Sequence, residues 1–545
     1  MTNFKDKVVY QIYPKSFYDA DGDGLGDLRG VTAKLDYLAR LGVDYLWLTP
    51  FFPSPQRDNG YDVADYCAVD PRFGTMADLE ELIAEADKRG IGLMLDMVFN
   101  HTSTAHAWFQ KALAGDETYQ DYYIFRQGDP DTPPTNWVSK FGGNAWEYLP
   151  SLGKWYLHLF DVSQADLNWE NPAVRAELAK VLRFWKDKGV KGFRFDVVNL
   201  ISKPEVLEDD REGDGRRFYT DGRNVHRYLQ ELVAAGGIEG MVTVGEMSST
   251  TLENCIGYTA PDRHELTMCF NFHHLKVDYK NGDKWSLMPP DRMALKNLFA
   301  HWQEGMQAHN GWNALFWCNH DQPRAVSRFG DDGRYWKESA KMLGMATHFM
   351  RGTPYIYQGE ELGMTNAHFT SIDQYRDVES LNYYTILQQQ GHTTAEALQI
   401  LAGRSRDNGR TPMQWSDAPY AGFTTGTPWI GVVDNYQTIN AALQVEDPDS
   451  IFTWYRTLVA LRKAHKAISE GGIEMLFDQD ANLLGYRRFV EGEELLVVCN
   501  LTAQDTALAL PAGWQDARLL LGNYPAGCRT TLRPFECMAL LRSGQ

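Results

Sequence analysis

Over the first 360 residues, short apolar runs alternate with segments whose apolar positions recur at helical spacing. The runs are VVYQIYP (8–14), YLWLTP (45–50), GLMLDMVFNH (92–101), GFRFDVV (192–198), MVTVGEM (241–247), LTMCFNF (266–272), NALFWCNHD (313–321) and TPYIYQGEE (353–361). Each is too short for a buried helix and reads as a buried strand. Between the second and third runs, TMADLEELIAEADKRG places Leu79, Leu82, Ile83 and Ala86 on one face. Thr75 stands at the N-cap and Gly90 at the stop. NPAVRAELAKVLRFWKDKG repeats the design with Asn171 and Pro172 at its start, an apolar stripe through Val174, Leu178, Val181, Leu182 and Trp185, and Gly189 at its end. Eight alternating units predict a (β/α)8 TIM barrel, whose chemistry sits where strands end in loops.

Two stretches break the alternation. Residues 102–168, rich in Trp, Tyr, Gly and Pro, predict a subdomain inserted after the third strand, and 362–412 an excursion after the eighth. Long insertions on the strand-end face usually build a binding pocket. The barrel is expected in two parts, 1–101 and 169–469. From 470 to 545 short alternating runs (LLGYRRF, ELLVVCNL, MALLRS) predict a C-terminal antiparallel β-sandwich domain.

Length and composition narrow the class. The chain has 545 residues, 43 % hydrophobic and 23 % charged, ordinary globular values with room for a large core. Its formal charge of -19 argues against nucleic acid or an anionic membrane as partner. No apolar run is long enough to span a bilayer, and the N-terminal MTNFKDKVVY lacks a signal-peptide core. Seven scattered cysteines (Cys67, Cys255, Cys269, Cys318, Cys499, Cys528, Cys537) form no CxxC pair and read as reduced thiols. A cytoplasmic enzyme, monomeric or weakly oligomeric, is the expectation.

Charged residues then cluster where chemistry is expected. Asp96 and His101 close the third run, Arg194 and Asp196 the fourth, Glu246 the fifth, His320 and Asp321 the seventh. A single strand-end acid is as often structural as functional, but here several converge on one mouth. Carboxylates among Arg and His suit cleavage of a glycosidic bond: one is ionised to attack the sugar carbon, and another holds a proton for the departing oxygen.

GLMLDMVFNH, GFRFDVVNLISK, MVTVGEM and WCNHDQPR, in that order, resemble the four motifs of the alpha-amylase family, glycoside hydrolase family 13. QADLNW (164–169), DNGYDV (58–63) and SRDNGRTPMQW (405–415) resemble its branch of intracellular alpha-glucosidases, related to oligo-1,6-glucosidases. The resemblance implies Asp196 as nucleophile, Glu246 as acid and base, and Asp321 as the carboxylate that binds sugar hydroxyls at the transition state. It places Asp58, Tyr61, His101, Arg194, His320 and Arg406 around the terminal glucose. Asp96 is implied as structural. The reaction would be retaining, through a glucosyl ester on Asp196, with no catalytic cofactor.

Val197, directly after the nucleophile, resembles members that cut bonds other than alpha-1,4. FNFHHLKVDY (270–279), GDGRRFYTDG (213–222) and Ala165 of QADLNW resemble members that cleave trehalose 6-phosphate to glucose and glucose 6-phosphate. Oligo-1,6-glucosidase activity on isomaltose is the alternative. A glucosyl transferase or isomerase would use the same carboxylates, whereas a non-catalytic barrel would have no need of all three. A phosphorylated leaving group calls for cations. Lys276 is the leading candidate, with Lys284, Arg217 or its neighbour Arg216, and Lys203.

One further stretch, DADGDGLGD (19–27), offers side-chain oxygens at alternate positions, as a hard cation requires. On the calcium-sensor template the twelfth position, which needs a bidentate Glu, is Gly30. A sensor is therefore not expected. The loop resembles one that binds a structural calcium ion in many of these glucosidases, which implies Asp19, Asp21, Asp23, the Leu25 carbonyl and Asp27 as ligands.

Overall fold

A computed structural model describes residues 4–525 and 529–544. Cys528 lies outside them; the other six cysteines are free. The barrel strands are β1 (Val9–Ile12), β2 (Tyr45–Leu48), β3 (Gly92–Met97), β4 (Gly192–Phe195), β5 (Val242–Glu246), β6 (Met268–Phe270), β7 (Ala314–Leu315) and β8 (Thr353–Tyr357). All are parallel, in the order β6-β5-β4-β3-β2-β1-β8-β7. A parallel bridge between Cys269 and Asn313 joins β6 to the start of β7 and closes the cylinder.

The two helices expected from periodicity form where their caps direct. Helix α1 (Met76–Lys88) starts at Thr75, whose side chain accepts from the Asp78 amide while Asp78 reaches back to the Thr75 amide. Helix α2 (Pro172–Asp187) starts at Asn171, which accepts from Ala173 N, with Pro172 in the first turn. Leu79, Leu82, Ala86, Val174, Leu178, Val181, Leu182 and Trp185 are all buried in the central core. Ile83, on the edge of the α1 stripe, packs half-buried against it.

Several apolar runs are longer than the strands they contain. Run 92–101 splits: β3 ends at Met97, and His101–Ser103 begins a ribbon paired antiparallel with Gln164–Asp166 of the insertion. His101 therefore belongs to the inserted subdomain and not to a barrel strand. Likewise β4 stops at Phe195, so Asp196 stands just beyond it, and β7 is only two residues long, leaving His320 and Asp321 on its loop. Apolar character continues past the strand ends because these loops are themselves buried in the barrel mouth.

The insertion also carries a three-stranded sheet, Phe125–Gln127, Lys154–Leu157 and Trp146–Leu149, on a separate aromatic core with Trp137, Trp146 and Trp155. After β8 the chain forms helices Val378–Gln389 and Thr394–Arg404, then runs beyond residue 412 through loops and short helical turns, among them Ala441–Gln444, to helix Ile451–Ala464. Past Gly472, five antiparallel strands in the order 472–476, 483–490, 493–500, 537–543, 518–522 share a cluster of Leu496, Leu532 and Leu540 with a two-stranded ribbon, 506–507 and 531–532. Strands 472–476 and 518–522 escaped the sequence reading; the second is half-exposed and breaks register between Leu519 and Leu521.

Candidate active site

The strand register brings the site together. Asp96 on β3 pairs with Arg194 on β4, so both side chains point into the barrel from one level. Arg194, 1 % exposed, donates through Nη1 to Asp96 Oδ1 at 2.6 Å and to Asp196 Oδ1 at 2.7 Å, and its Nη2 contacts Glu246 Oε2. One guanidinium thus holds two prospective catalytic carboxylates side by side. Asp96 is completed by Trp47 Nε1 at 3.1 Å and Tyr61 Oη at 2.9 Å, which leaves it no free face toward a substrate.

Val197, which follows Asp196, has φ 35° and ψ 41°, a left-handed conformation that a β-branched residue adopts only at a cost of about 1–3 kcal/mol. That turn swings the chain from β4 into the pocket wall, where Val197 is itself a lining residue. Burial raises the Asp196 carboxyl to about 6; Arg194 opposes the shift and Asp96 adds to it.

The second half of the site comes from the β7 loop and the excursion after β8. Asp321 Oδ1 takes Arg410 Nη2 at 2.7 Å and Arg406 Nη1 at 3.3 Å, and His320 Nε2 lies 3.3 Å from its Oδ2. Burial works against ionisation of Asp321, but His320, Arg406 and Arg410 outweigh it and hold the carboxyl well below its usual range. Arg406 also binds Asp58 Oδ1 at 3.1 Å and Asp377 Oδ1 at 2.6 Å. Tyr61 lies flat on His320, with ring centroids 5.0 Å apart and planes within 4°. Gln164 Nε2 donates to Asp58 Oδ2 at 3.0 Å.

Asp58, Tyr61, Asp196, Val197, Glu246, Asp321 and Arg406 line a cavity of about 430 Å³ together with His101, Phe141, Phe160, Lys140, Asp214, Arg216, Lys276, Lys284 and Glu379. The pocket therefore gathers Asp58, Tyr61, His101, Asp196, Glu246, Asp321 and Arg406, with Arg194 and His320 directly behind them. Gln164, Asp377, Glu379, Arg410 and Lys140 were missed. They come from irregular loops, where no periodicity marks which side chains face inward.

The basic candidates separate. Lys276 and Arg216 reach the pocket from different loops, and Lys140 joins them from the insertion. Burial, then the nearby Arg216 and Lys276 charges, lowers the Lys140 ammonium to about 8. Lys284 lines the pocket but is paired with Glu379 at 2.6 Å. Arg217 does not line it: its guanidinium binds Asp210 at 2.9 Å and Glu212 at 2.8 Å. Being next to Arg216 on a short helix, it faces about 100° away. Lys203 is also diverted, spanning Asp166 Oδ2 and Asn100 Oδ1 at 2.6 Å each. It lines a different cleft of about 490 Å³, which contains none of the strand-end carboxylates.

At the opposite end of the first loop, Asp19, Asp21 and Asp27 bring carboxylate oxygens within 4.8 Å of one another. Asp23 lies outside that group, its Oδ1 accepting from Leu25 N at 2.8 Å. Gly24, at φ 97°, passes so close to Thr427 that a Cβ would sit 2.0 Å from its carbonyl, which fixes glycine in the turn.

A closed eight-stranded parallel barrel, three carboxylates at its strand-end mouth and an arginine clasping two of them define a glycoside hydrolase. The alpha amylase catalytic domain model matches residues 11–471, and the chain belongs to this family. It is 56 % identical to the trehalose-6-phosphate hydrolase of Escherichia coli (strain K12) over 544 residues, covering 98 % of each chain. It is 45 % identical to the oligo-1,6-glucosidase of Bacillus cereus over 549 residues, 98 % of each. The crystal structure of Bacillus licheniformis trehalose-6-phosphate hydrolase superposes with a TM-score of 0.95 at 52 % identity, covering 99 % of this chain and 100 % of that one.

Proposed function

We propose that this chain hydrolyses α,α-trehalose 6-phosphate to glucose and glucose 6-phosphate with retention. Asp196 attacks the anomeric carbon while Glu246 protonates the leaving oxygen; deprotonated Glu246 then activates water against the glucosyl ester. Asp321, held ionised beside Arg406 and Arg410, accepts hydrogen bonds from the sugar hydroxyls. Arg194 keeps positive charge beside Asp196, so the nucleophile is anionic above about pH 6.

The observation that carries the substrate is the set of three cations, Lys140, Arg216 and Lys276, on the wall of the catalytic pocket. Arg216 is paired with Asp214 at 2.9 Å, so the set keeps a net positive charge. A neutral glucoside has no use for it; a phosphate dianion is costly to desolvate without it. A panel of phosphotrehalose, trehalose, isomaltose, sucrose and maltose tests this. Glucose and glucose 6-phosphate are expected from the first far faster than glucose from any other. Faster turnover of isomaltose would replace the reading with that of an oligo-1,6-glucosidase, which the Lys284–Glu379 pair in the same pocket would then serve.

Among the described residues no helix is long and apolar enough to cross a membrane. A phosphorylated sugar substrate and free thiols support a cytoplasmic site of action. We also infer a calcium ion on the Asp19–Asp27 loop. Its donors are hard oxygens, and Asp19 and Asp27 are each only 5 % exposed. Burial, with Asp21 and Asp19 repulsion, raises the Asp27 carboxyl, a strain that a divalent cation would relieve. Calcium should raise Tm by several degrees and chelator should reverse the rise. An unchanged Tm under both would remove the ion.

A further inference from the structure

The sugar-facing His101 and the buried Lys203 are connected through a single side chain, Asn100. Lys203 Nζ stands 2.6 Å from Asn100 Oδ1 and 2.6 Å from Asp166 Oδ2. An ammonium only donates, so the atom of Asn100 that faces it is the amide oxygen. The amide nitrogen is then turned the other way, where it meets Asp166 Oδ2 at 3.1 Å and His101 Nδ1 at 3.2 Å. Both amide hydrogens are used, one on each.

An NH2 group can only donate, so His101 Nδ1 must be the bare, accepting nitrogen. The proton of the neutral ring sits on Nε2, which faces the Tyr61 carbonyl oxygen at 3.1 Å. Gln164 Nε2, 3.2 Å from the same ring nitrogen, spends its hydrogens on Asp58 Oδ2 and on the Tyr61 carbonyl. Asn100, His101 and Asp166 are at most 1 % exposed. His320 has a similar amide contact, Gln11 Nε2 at 2.8 Å from its Nδ1, but no cation fixes which way that amide points.

We infer that Lys203 is a positioning residue for glucosyl transfer: together with Asp166 it orients Asn100 and fixes the Nε2–H tautomer of His101, whose hydrogen bond to the Tyr61 carbonyl holds the ring in place on the pocket wall. Without the ammonium Asn100 Oδ1 loses its donor and the Asp166 carboxylate its countercharge, so the amide that sets the His101 tautomer is held from one side only. The inference rests on the glycosidase reading of the pocket but not on the phosphorylated substrate, and a neutral aryl α-glucoside serves as its probe.

Lys203→Met should lower kcat about 10- to 100-fold, as loss of a buried partner behind an active-site His typically does. KM should change less than about threefold, and the loss should be equal on the aryl glucoside and on phosphotrehalose. In a His101→Ala background the same substitution should cost less than about twofold. Asn100→Asp keeps the contact to Lys203 but offers no hydrogen to Nδ1; it should match the kcat loss, with a lower Tm because its second oxygen replaces the donor to Asp166. Full kcat in Lys203→Met, an undiminished additional loss in the His101→Ala background, or a wild-type rate in Asn100→Asp would each overturn the assignment. If Lys203→Met fails to fold, Asn100→Asp alone decides.

Discussion

The two ends of the catalytic pocket are built on opposite electrostatic plans. At the glucose end every charge is answered: Arg194 by Asp96, Asp196 and Glu246, and Arg406 by Asp58, Asp321 and Asp377. These side chains are largely buried, and their partners are preset at hydrogen-bond distance. At the other end Lys140, Arg216 and Lys276 repel one another around the single carboxylate of Asp214. The first arrangement is a preorganised catalytic frame that works on any α-glucoside it can hold. The second is a charge deficit, which under the proposed function receives the phosphate of the substrate.

Substitutions at the two ends should therefore fail differently. Asp196→Asn should cost roughly 10⁴-fold or more in kcat on phosphotrehalose and on an aryl glucoside alike, because it removes the nucleophile itself. Burst measurements should show no glucosyl-enzyme. Lys276→Ala should lower kcat/KM for phosphotrehalose about 10- to 100-fold, the loss expected of one charge-assisted contact, and leave the aryl glucoside within about threefold. An equal loss on both substrates would move Lys276 into the glucose end and erase the contrast.

The same division decides what the sequence could reveal. The half of the glucose end built on Arg194 hangs on barrel strands and their termini, where period and position are linked. Arg194 and Asp196 alternate along one run, Asp96 lies on the strand paired beside it and Glu246 near the end of a third run, so their convergence follows from the fold. The outer end hangs on loops that the chain brings together over long separations. Lys140 lies in the insertion and Glu379 in the excursion, and nothing in their neighbourhoods distinguishes them from surface charges. Arg216 and Arg217 show the limit most clearly. They are adjacent on one helical turn, and only the structure decides that Arg216 enters the pocket while Arg217 binds Asp210 and Glu212. Lys203 shows the converse: a cation near the right loops is consumed by Asp166 and Asn100, partners 37 and more residues away in sequence.

Proton titration gives the finest separation of the two ends. With a neutral aryl glucoside, kcat/KM reports the free enzyme's glucose end alone. Asp196 must be ionised, and its carboxyl is raised to about 6, so the rate should fall as pH drops through that value. Phosphotrehalose should share this acid limb, overlaid by the second ionisation of its own phosphate near pH 6. The distinguishing limb is alkaline. Burial and the charges of Arg216 and Lys276 lower Lys140 to about 8, so its cation is present below that pH and lost as pH rises through it. Phosphotrehalose kcat/KM should decline severalfold above pH 8 while the aryl glucoside stays level, and Lys140→Met should lower the former at pH 7 and flatten its alkaline limb. Identical alkaline limbs for the two substrates would place the titrating group at the glucose end and remove Lys140 from phosphate recognition.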